Sequence, residues 1–538
     1  MRAFPPAARK AALAAFFVWG TCNWLAFGFA YAREAVVAKH FMVAAASPLA
    51  AQAGVEVLER GGSAVDAAVA VQMVLGLVEP ESSGIGGGAF MLHWSEQEKK
   101  LRSYDGRETA PAAARPDRFI KDGKPLAFMD AAVGGRSVGV PGVLRMLELA
   151  HARHGRRPWH ELFDAAIRIA EQGFEPAPKL REALARERFL RSDIFSAPRI
   201  VNREYAETLR MIARGGARVF YEGEIAKDIV LAVRTHARPG DLTEEDLRKY
   251  RAVEREPVCG PYRTWRVCSM GPPSSGGVAV LQILGLLERT SFARAPAQSV
   301  VALHFFAESG KLAYADRGRY LGDPDFLPVP VKQLLSAAYL EKRAKLITDR
   351  AMPLAAPGDP EAGTSHFSIV DSRGDVVSMS TTIEAVFGSR VLVRGFLLNN
   401  QLTDFDFAPG GANAVAPGKR PRSSMAPTVV FGTDQFHMAV GSPGGSMIIN
   451  YVVKALVGTL DWGLDVQSAI ELPNFGSRNG PTLIEQGSRY EKLAPELAEL
   501  GHQVERVPLM SGLHGIERVA GGWRGGADPR RDGIAAGR

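Results

Sequence analysis

The chain has 538 residues, of which 46% are hydrophobic and 23% charged, and a formal net charge of +7. These are ordinary globular proportions and exclude disordered and fibrous classes. The 56 glycines favour a fold with many tight turns and close backbone approaches.

Arg2, Arg9 and Lys10 precede an apolar stretch, Ala11 to Ala32, that ends in Ala30-Tyr31-Ala32. A basic start, an apolar middle and a small-residue exit predict a secretory signal over 1–32, cleaved after Ala32, and a periplasmic or secreted product. A retained membrane anchor is the alternative, because the stretch is long enough to span. Without its three bases the remainder is +4, with Lys and Arg dispersed among acids, which makes nucleic acid a poor partner. Cys259 and Cys268 flank an expected turn at Gly260-Pro261 that would not set them opposite each other. Two free or partly buried thiols are therefore expected.

Ser47-Pro48 predicts a capped helix running to Arg60, closed by Gly61-Gly62. Ser63-Ala-Val-Asp66 reads as a capping box opening a second helix, Ala64 to Val78, which is apolar on nearly every face and so should be buried. The glycine-rich loop Ser82 to Gly88 then leads into a strand, Ala89–Trp94. That order, helix then loop then strand, is wrong for a dinucleotide fingerprint. Mostly helical patterns follow from 140 to 250, among them Leu180–Arg191 and a helix start at Asp241 to Asp246. Pro257–Met270 reads as a hairpin and Val278 to Glu288 as a buried helix. After the soft Ala351–Gly363 stretch come strands at Thr364–Val370, Val376–Thr382, Val391–Leu398 and Thr428–Val440. No nucleophile elbow, Walker loop or zinc helix is present, and His151 with His154 lacks further metal ligands.

The chemistry centres on Gly363-Thr364-Ser365-His366. If the 363–364 bond breaks, Thr364 gains a free α-amine beside its own hydroxyl, and such an amine titrates near 7.7–8.0. It can then act as base for that hydroxyl. Gly363 suits prior self-cleavage because no side chain shields its carbonyl. Alone, the segment Gly363–Ser368 reads far more readily as an ordinary strand start. However, Ser372-Arg-Gly374-Asp375 is a turn, so Thr364–Asp371 and Val376–Ile383 should pair and bring Thr364 opposite Thr382–Ile383. Downstream lie Leu398-Asn-Asn-Gln401-Leu-Thr-Asp404, Arg420-Pro-Arg-Ser423-Ser424 and Gly441-Ser-Pro-Gly444-Gly445-Ser446. The last is a glycine turn able to aim backbone N–H groups at an oxyanion.

Together with Asp105-Gly-Arg107-Glu-Thr-Ala-Pro111, Ala315 to Pro324 and Gly526-Ala-Asp-Pro529, these segments resemble the gamma-glutamyltransferase (gamma-glutamyltranspeptidase, glutathione hydrolase) family from about Ala46 onward. The resemblance implies an α+β fold, the four-layer αββα sandwich of N-terminal-nucleophile hydrolases. It implies self-cleavage into a large fragment, 33–363, and a small one, 364–538, held together as a heterodimer in one domain. Thr364 would be the nucleophile, Thr382 its hydrogen-bond partner, and Gly444 and Gly445 the oxyanion hole. Arg107, Ser423 and Ser424 would hold the donor α-carboxylate, and Gln401, Asp404 and Glu384 its α-ammonium. Glutathione would be the leading donor, an amino acid, a dipeptide or water the acceptor, and no metal or organic cofactor is implied.

Two departures touch the substrate. Glu384 stands where many members have asparagine, in a Thr-Thr-Ile-Glu run that resembles a branch including capsule poly-gamma-glutamate transpeptidases. The Phe405–Ala412 loop is shorter than the lid of the best-known bacterial members, which implies an open cleft. A capsule-type transpeptidase, a beta-lactam side-chain acylase and a non-catalytic binding relative are the rival readings. The acylase has no need of the Arg107 and Asp404 clamp, and a binding module has no use for Thr364, Thr382 and the Gly444-Gly445 turn.

Overall fold

Ser63 and Asp66 cap each other. The Ser63 hydroxyl accepts from the Asp66 N–H at 3.1 Å, and the Asp66 carboxylate accepts from the Ser63 N–H at 2.8 Å. The helix Ala64–Val78 that follows is buried at every residue. Asp66 also takes the backbone N–H groups of Arg156 and Arg157 at 2.9 and 3.0 Å, so one carboxylate ties the cap to a distant loop. The preceding helix, Pro48–Glu59, carries proline in its first turn, yet the expected Ser47 hydroxyl cap is not made.

This computed structural model describes residues 33–190, 192–353, 363–433 and 435–538. The apolar 1–32 segment and most of the soft stretch before Gly363 lie outside the described residues. Among the described residues no helix is long and apolar enough to cross a membrane. Glu34–Arg538 form one compact unit.

Two seven-stranded sheets, antiparallel throughout, build that unit. The first runs Ile534–Gly537, Met42–Ala45, Gly363–Val370, Val376–Glu384, Gly88–Ser95, Lys100–Gly106 and Val253–Arg255 in spatial order. The second runs Val36–Ala38, Gly522–Ala527, His514–Val519, Phe436–Gly441, Thr428–Phe431, Trp265–Ser269 and Val258–Tyr262. Alternation along the strands sorts the side chains. Met42, Ala44, Leu92 and Trp94 of the first sheet share a core with Val429, Phe431 and Ile516 of the second. Val43, Met91, Phe367 and Met379 face the other way, onto Ala64–Val78 and its neighbouring helices. Val267, Val430 and Met438 likewise pack against Gly276–Glu288, Val300–Tyr320 and Ile448–Leu460. Helix, sheet, sheet, helix is the four-layer order expected.

The structure corrects the cysteine expectation. The hairpin turns at Arg263-Thr264, with Arg263 at φ 55°, and not at Gly260-Pro261. That register sets Cys259 opposite Cys268 with Cα atoms 4.1 Å apart, and the two form a disulfide. Other differences are local. The Leu180–Arg191 helix is Pro178–Arg186, ended where the Glu187 carboxylate accepts the N–H groups of Arg188, Phe189 and Leu190. Val391–Leu398 is a tight hairpin, Leu392–Val393 against Phe396–Leu397, reversing through positive φ at Arg394 and Gly395. Thr428–Val440 likewise divides into two paired strands.

The glycine loop before Gly88–Ser95 owes its composition to close backbone approach. A Cβ on Gly87 would sit 2.1 Å from the Thr382 carbonyl oxygen, and one on Gly86 2.1 Å from that of Leu397. This loop therefore packs directly against the strand that carries Thr382.

Candidate active site

Gly363–Val370 and Val376–Glu384 pair as expected, with Ser365 opposite Thr381 and Gly363 opposite Glu384. The register shift between Gly363 and Ser365 places Thr364 at an irregularity in the ladder. Its Oγ1 lies 3.3 Å from Thr382 Oγ1, and its carbonyl accepts from Arg531 Nη1 at 3.2 Å. Thr382 Oγ1 also accepts the Glu384 N–H at 2.8 Å. Glu384 makes that bond from φ 80°, a region non-glycine residues seldom occupy and one that often marks a functional site.

A cavity of about 630 Å³ opens over these threonines. Arg107, Gln401, Asp404, Glu384, Ser423, Ser424 and Gly445 line it together with Thr364 and Thr382, so residues spread over 339 positions meet at one place. Arg107 is wholly buried and reaches Asp404 through Nη2, while Nε donates to the Pro421 carbonyl at 3.0 Å. Its Nη1 is buried without a hydrogen-bond acceptor and lies 3.8 Å from Glu108 Oε2. Gln401 Nε2 donates to Asp404 Oδ2 at 2.7 Å.

Glu384 is buried. The Asn400 amide donates to Glu384, and the Thr403 hydroxyl does so at 3.3 Å. Burial, reinforced by the Asp404 charge, raises the Glu384 pKa out of the ordinary carboxylate range. Glu108 behaves alike: burial outweighs the opposing pull of Arg107 and pushes it up to about 8.

Gly444 and Gly445 have φ 129° and 56°, conformations that L side chains rarely adopt. They open the turn Gly445–Met447, which feeds the helix Ile448–Leu460. A helix start beside Thr364 concentrates N–H groups and partial positive charge at one wall of the cavity. Ser423 and Ser424 are held differently. The Ser423 carbonyl accepts from Ser275 N–H at 2.8 Å, and the Ser423 hydroxyl from Met425 N–H at 3.0 Å. The Ser424 hydroxyl accepts from Arg317 Nη2 at 2.8 Å. Among the described residues no group of His, Cys, Asp and Glu could hold a metal ion.

The gamma-glutamyltranspeptidase family model matches residues 50–538. The chain belongs to that family. It is 36% identical to the glutathione hydrolase proenzyme of Bacillus subtilis (strain 168), over 94% of this chain and 92% of that one. It is 34% identical to the acylase ACY 1 proenzyme of Pseudomonas sp. (strain V22), over 89% of each. The crystal structure of a cephalosporin acylase from Bacillus halodurans superposes with a TM-score of 0.86 at 30% identity, over 96% of this chain and 98% of that one. At family level, therefore, the chain is an N-terminal-nucleophile enzyme of gamma-glutamyl hydrolysis or transfer.

Several cavity residues gave no sign in the sequence. Arg317, Arg422 and Arg478 line the same space, as do Tyr314 and Phe407. Arg317 and Arg422 sit inside motifs already singled out, but single arginines there carry no local sign of facing inward. Phe407 comes from the short loop and stacks on Phe119 with centroids 4.7 Å apart, so the loop does shape one side of the cavity. Arg531 gave no signal because its contact to Thr364 spans 167 positions.

Proposed function

We propose that this protein cleaves its own chain between Gly363 and Thr364 and then uses Thr364 to open gamma-glutamyl amides, glutathione among them. The observation that carries the reading is the 3.3 Å approach of the Thr364 and Thr382 hydroxyls at the floor of a cavity that also holds the Arg107–Asp404 pair.

In the first step the Thr364 hydroxyl adds to the Gly363 carbonyl carbon. The peptide C–N bond then breaks, freeing the Thr364 amine and leaving an ester for water to hydrolyse. The fragments 33–363 and 364–538 stay associated, since each sheet contains strands of both. In turnover the new amine takes the Thr364 hydroxyl proton as oxygen attacks the gamma-carbonyl carbon. N–H groups of the Gly444-Gly445 turn stabilise the oxyanion. Collapse of the tetrahedral adduct expels the amine, which leaves with the transferred proton. Water or an acceptor amine then attacks the gamma-glutamyl ester, regenerating Thr364.

The donor is gripped by its two charges. Arg107, with Ser423 and Ser424, takes the α-carboxylate, while Asp404, Gln401 and Glu384 take the α-ammonium. That double grip favours the gamma-glutamyl reading over the acylase reading suggested by two of the relatives, because an acyl group without an ammonium makes no use of Asp404, Gln401 and Glu384 on the cavity wall. The basic-then-apolar N-terminal sequence supports export of the product to the periplasm or outside the cell. A donor panel on purified mature protein tests the proposal. Cleavage of glutathione and gamma-glutamyl anilide is expected; cleavage of glutaryl cephalosporin alone would replace it.

A further inference from the structure

Thr364 and Thr382 meet at the open end of their hairpin, and a segment outside the cavity spans that end. Pro80 cannot continue the helix Ala64–Val78, so the chain turns at Glu79, whose carbonyl accepts from the N–H groups of Ser82 and Ser83 at 2.9 and 3.2 Å. The turn brings the Glu79 carboxylate to the first strand, where Oε2 accepts from the Ser365 hydroxyl at 2.7 Å. Backbone groups of the same segment serve the second strand. The Ser82 carbonyl accepts from the Ile383 N–H at 3.2 Å, and the Glu81 carbonyl from the Phe387 N–H at 3.1 Å. Ser365 follows Thr364 directly and Ile383 follows Thr382, so residues 79–82 hold each strand one residue away from its threonine.

Lys179, from the helix Pro178–Arg186, ties the segment together. Its Nζ donates to Ser82 Oγ at 2.7 Å and lies 2.8 Å from Glu81 Oε1 and 3.6 Å from Glu79 Oε1. Both carboxylates are buried, and one partly exposed ammonium serves the two. Taking two carboxylates out of water is costly, and apolar side chains of the same size would stabilise the fold as well or better. Stability alone therefore gives no reason for the arrangement. None of Glu79, Lys179 and Ser365 is among the residues lining the cavity, so a donor held there does not touch them. What the group does touch is the backbone that carries Thr364.

We propose that Glu79, oriented by Lys179, is a positioning residue: through Ser365 it fixes the end of the first strand so that Thr364 Oγ1 stays within reach of Thr382 Oγ1. The inference rests on the reading of Thr364 as nucleophile and adds to it a residue that makes no donor contact. The register shift between Gly363 and Ser365 leaves Thr364 out of the regular ladder, where strand pairing alone does not set its direction. Two bonds act in place of the missing ladder contacts, Arg531 Nη1 on the Thr364 carbonyl at 3.2 Å and Glu79 on the next side chain. A carboxylate acceptor makes the second of these shorter and stronger than a neutral acceptor would. Misplacing an attacking oxygen slows the chemical step and leaves binding of the substrate alone. The role should therefore show in self-cleavage and in kcat, and not in KM.

The test removes the link and then restores it. Ser365→Ala deletes the hydroxyl, Ser365→Thr keeps it, and Glu79→Gln keeps an acceptor without the charge. Each chain is followed on a denaturing gel from the moment of purification, and kcat and KM for gamma-glutamyl anilide are measured on the cleaved fraction. Ser365→Ala should cleave itself about tenfold more slowly than wild type and lose about tenfold in kcat, with KM unchanged within about twofold. Ser365→Thr should recover most of both losses, and Glu79→Gln should fall between the two. Tm is measured on every variant. Self-cleavage and kcat within about twofold of wild type in Ser365→Ala, whether or not Tm falls, would overturn the proposal, as would a loss that Ser365→Thr fails to repair. A wild-type chain that stays whole removes the Thr364 reading and the positioning role with it. A wild-type chain that cleaves itself but spares gamma-glutamyl anilide removes the donor reading alone, and the rates of self-cleavage then decide the role of Glu79.

Discussion

Thr364 Oγ1 and Thr382 Oγ1 stand 3.3 Å apart, 18 positions distant in the chain, at the open end of one β-hairpin. The turn between the strands sets the register, and the shift beyond Ser365 rotates Thr364 toward the cavity. The oxygen of Thr382 is fixed in turn by the Glu384 N–H at 2.8 Å. A short chain of backbone and hydroxyl groups thus aims one threonine at the substrate space.

The self-cleavage proposal makes a direct prediction from this pair. Wild-type protein should give two bands on a denaturing gel, the smaller beginning Thr-Ser-His-Phe, and Thr364→Ala should remain one chain. Thr382→Ala should process slowly and lose about 1–3 kcal/mol in kcat, the worth of one buried hydrogen bond to a reacting group. Full activity in an uncleaved wild-type chain would remove Thr364 from its proposed role.

Arg107 and Asp404 test the grip. Arg107→Lys keeps the charge and loses the fork that serves Pro421, Arg422 and Asp404 at once. Asp404→Ala strands a wholly buried guanidinium. Each should cost about 2–4 kcal/mol in kcat/KM toward gamma-glutamyl donors. Both variants should still cleave themselves, because that step uses no donor. Near-normal kinetics in either would favour the acylase reading.

Gly444 offers a third prediction. At φ 129° a Cβ is strained, and it would lie 2.5 Å from Tyr451 Cε2. Gly444→Ala must therefore shift the turn away from the helix that supports it. An expected destabilisation of about 1–3 kcal/mol should accompany a fall in kcat larger than any change in KM. Chemical denaturation and steady-state kinetics on the same preparation check both halves.

What the sequence disclosed follows from range. Ser63 with Asp66, and the Ser372–Asp375 turn, act within a few residues, so the buried helix and the hairpin that carries Thr364 and Thr382 could be read directly. Arg107, Asp404 and Ser423 came together only through family resemblance, since nothing local says that residues 107 and 404 share an ion pair. Failures lie where one residue of register decides the outcome. Moving the turn from Gly260-Pro261 to Arg263-Thr264 converts two expected thiols into a disulfide. Arg478 and Arg531 were invisible because their meaning rests wholly on distant partners.

Glu384 gives the pH prediction. Burial and the Asp404 charge raise its pKa to about 8, so the free protein holds it protonated at neutral pH. A donor ammonium favours the carboxylate form, so binding must release a proton, and KM should fall as pH rises from 6 toward 8. Glu384→Gln cannot ionise, so its KM should vary less over that range and exceed the wild-type value most clearly near pH 8. Stability should move oppositely. A carboxyl whose folded pKa lies above its unfolded one contributes stability that is fully present below the ordinary carboxylate range and is lost as pH rises through about 8. Wild-type Tm should therefore decline relative to Glu384→Gln between pH 5 and 8.5, while donor binding improves over the same interval. Parallel KM profiles in the two proteins would show that Glu384 does not face the donor ammonium, and parallel Tm profiles that its carboxyl is not raised.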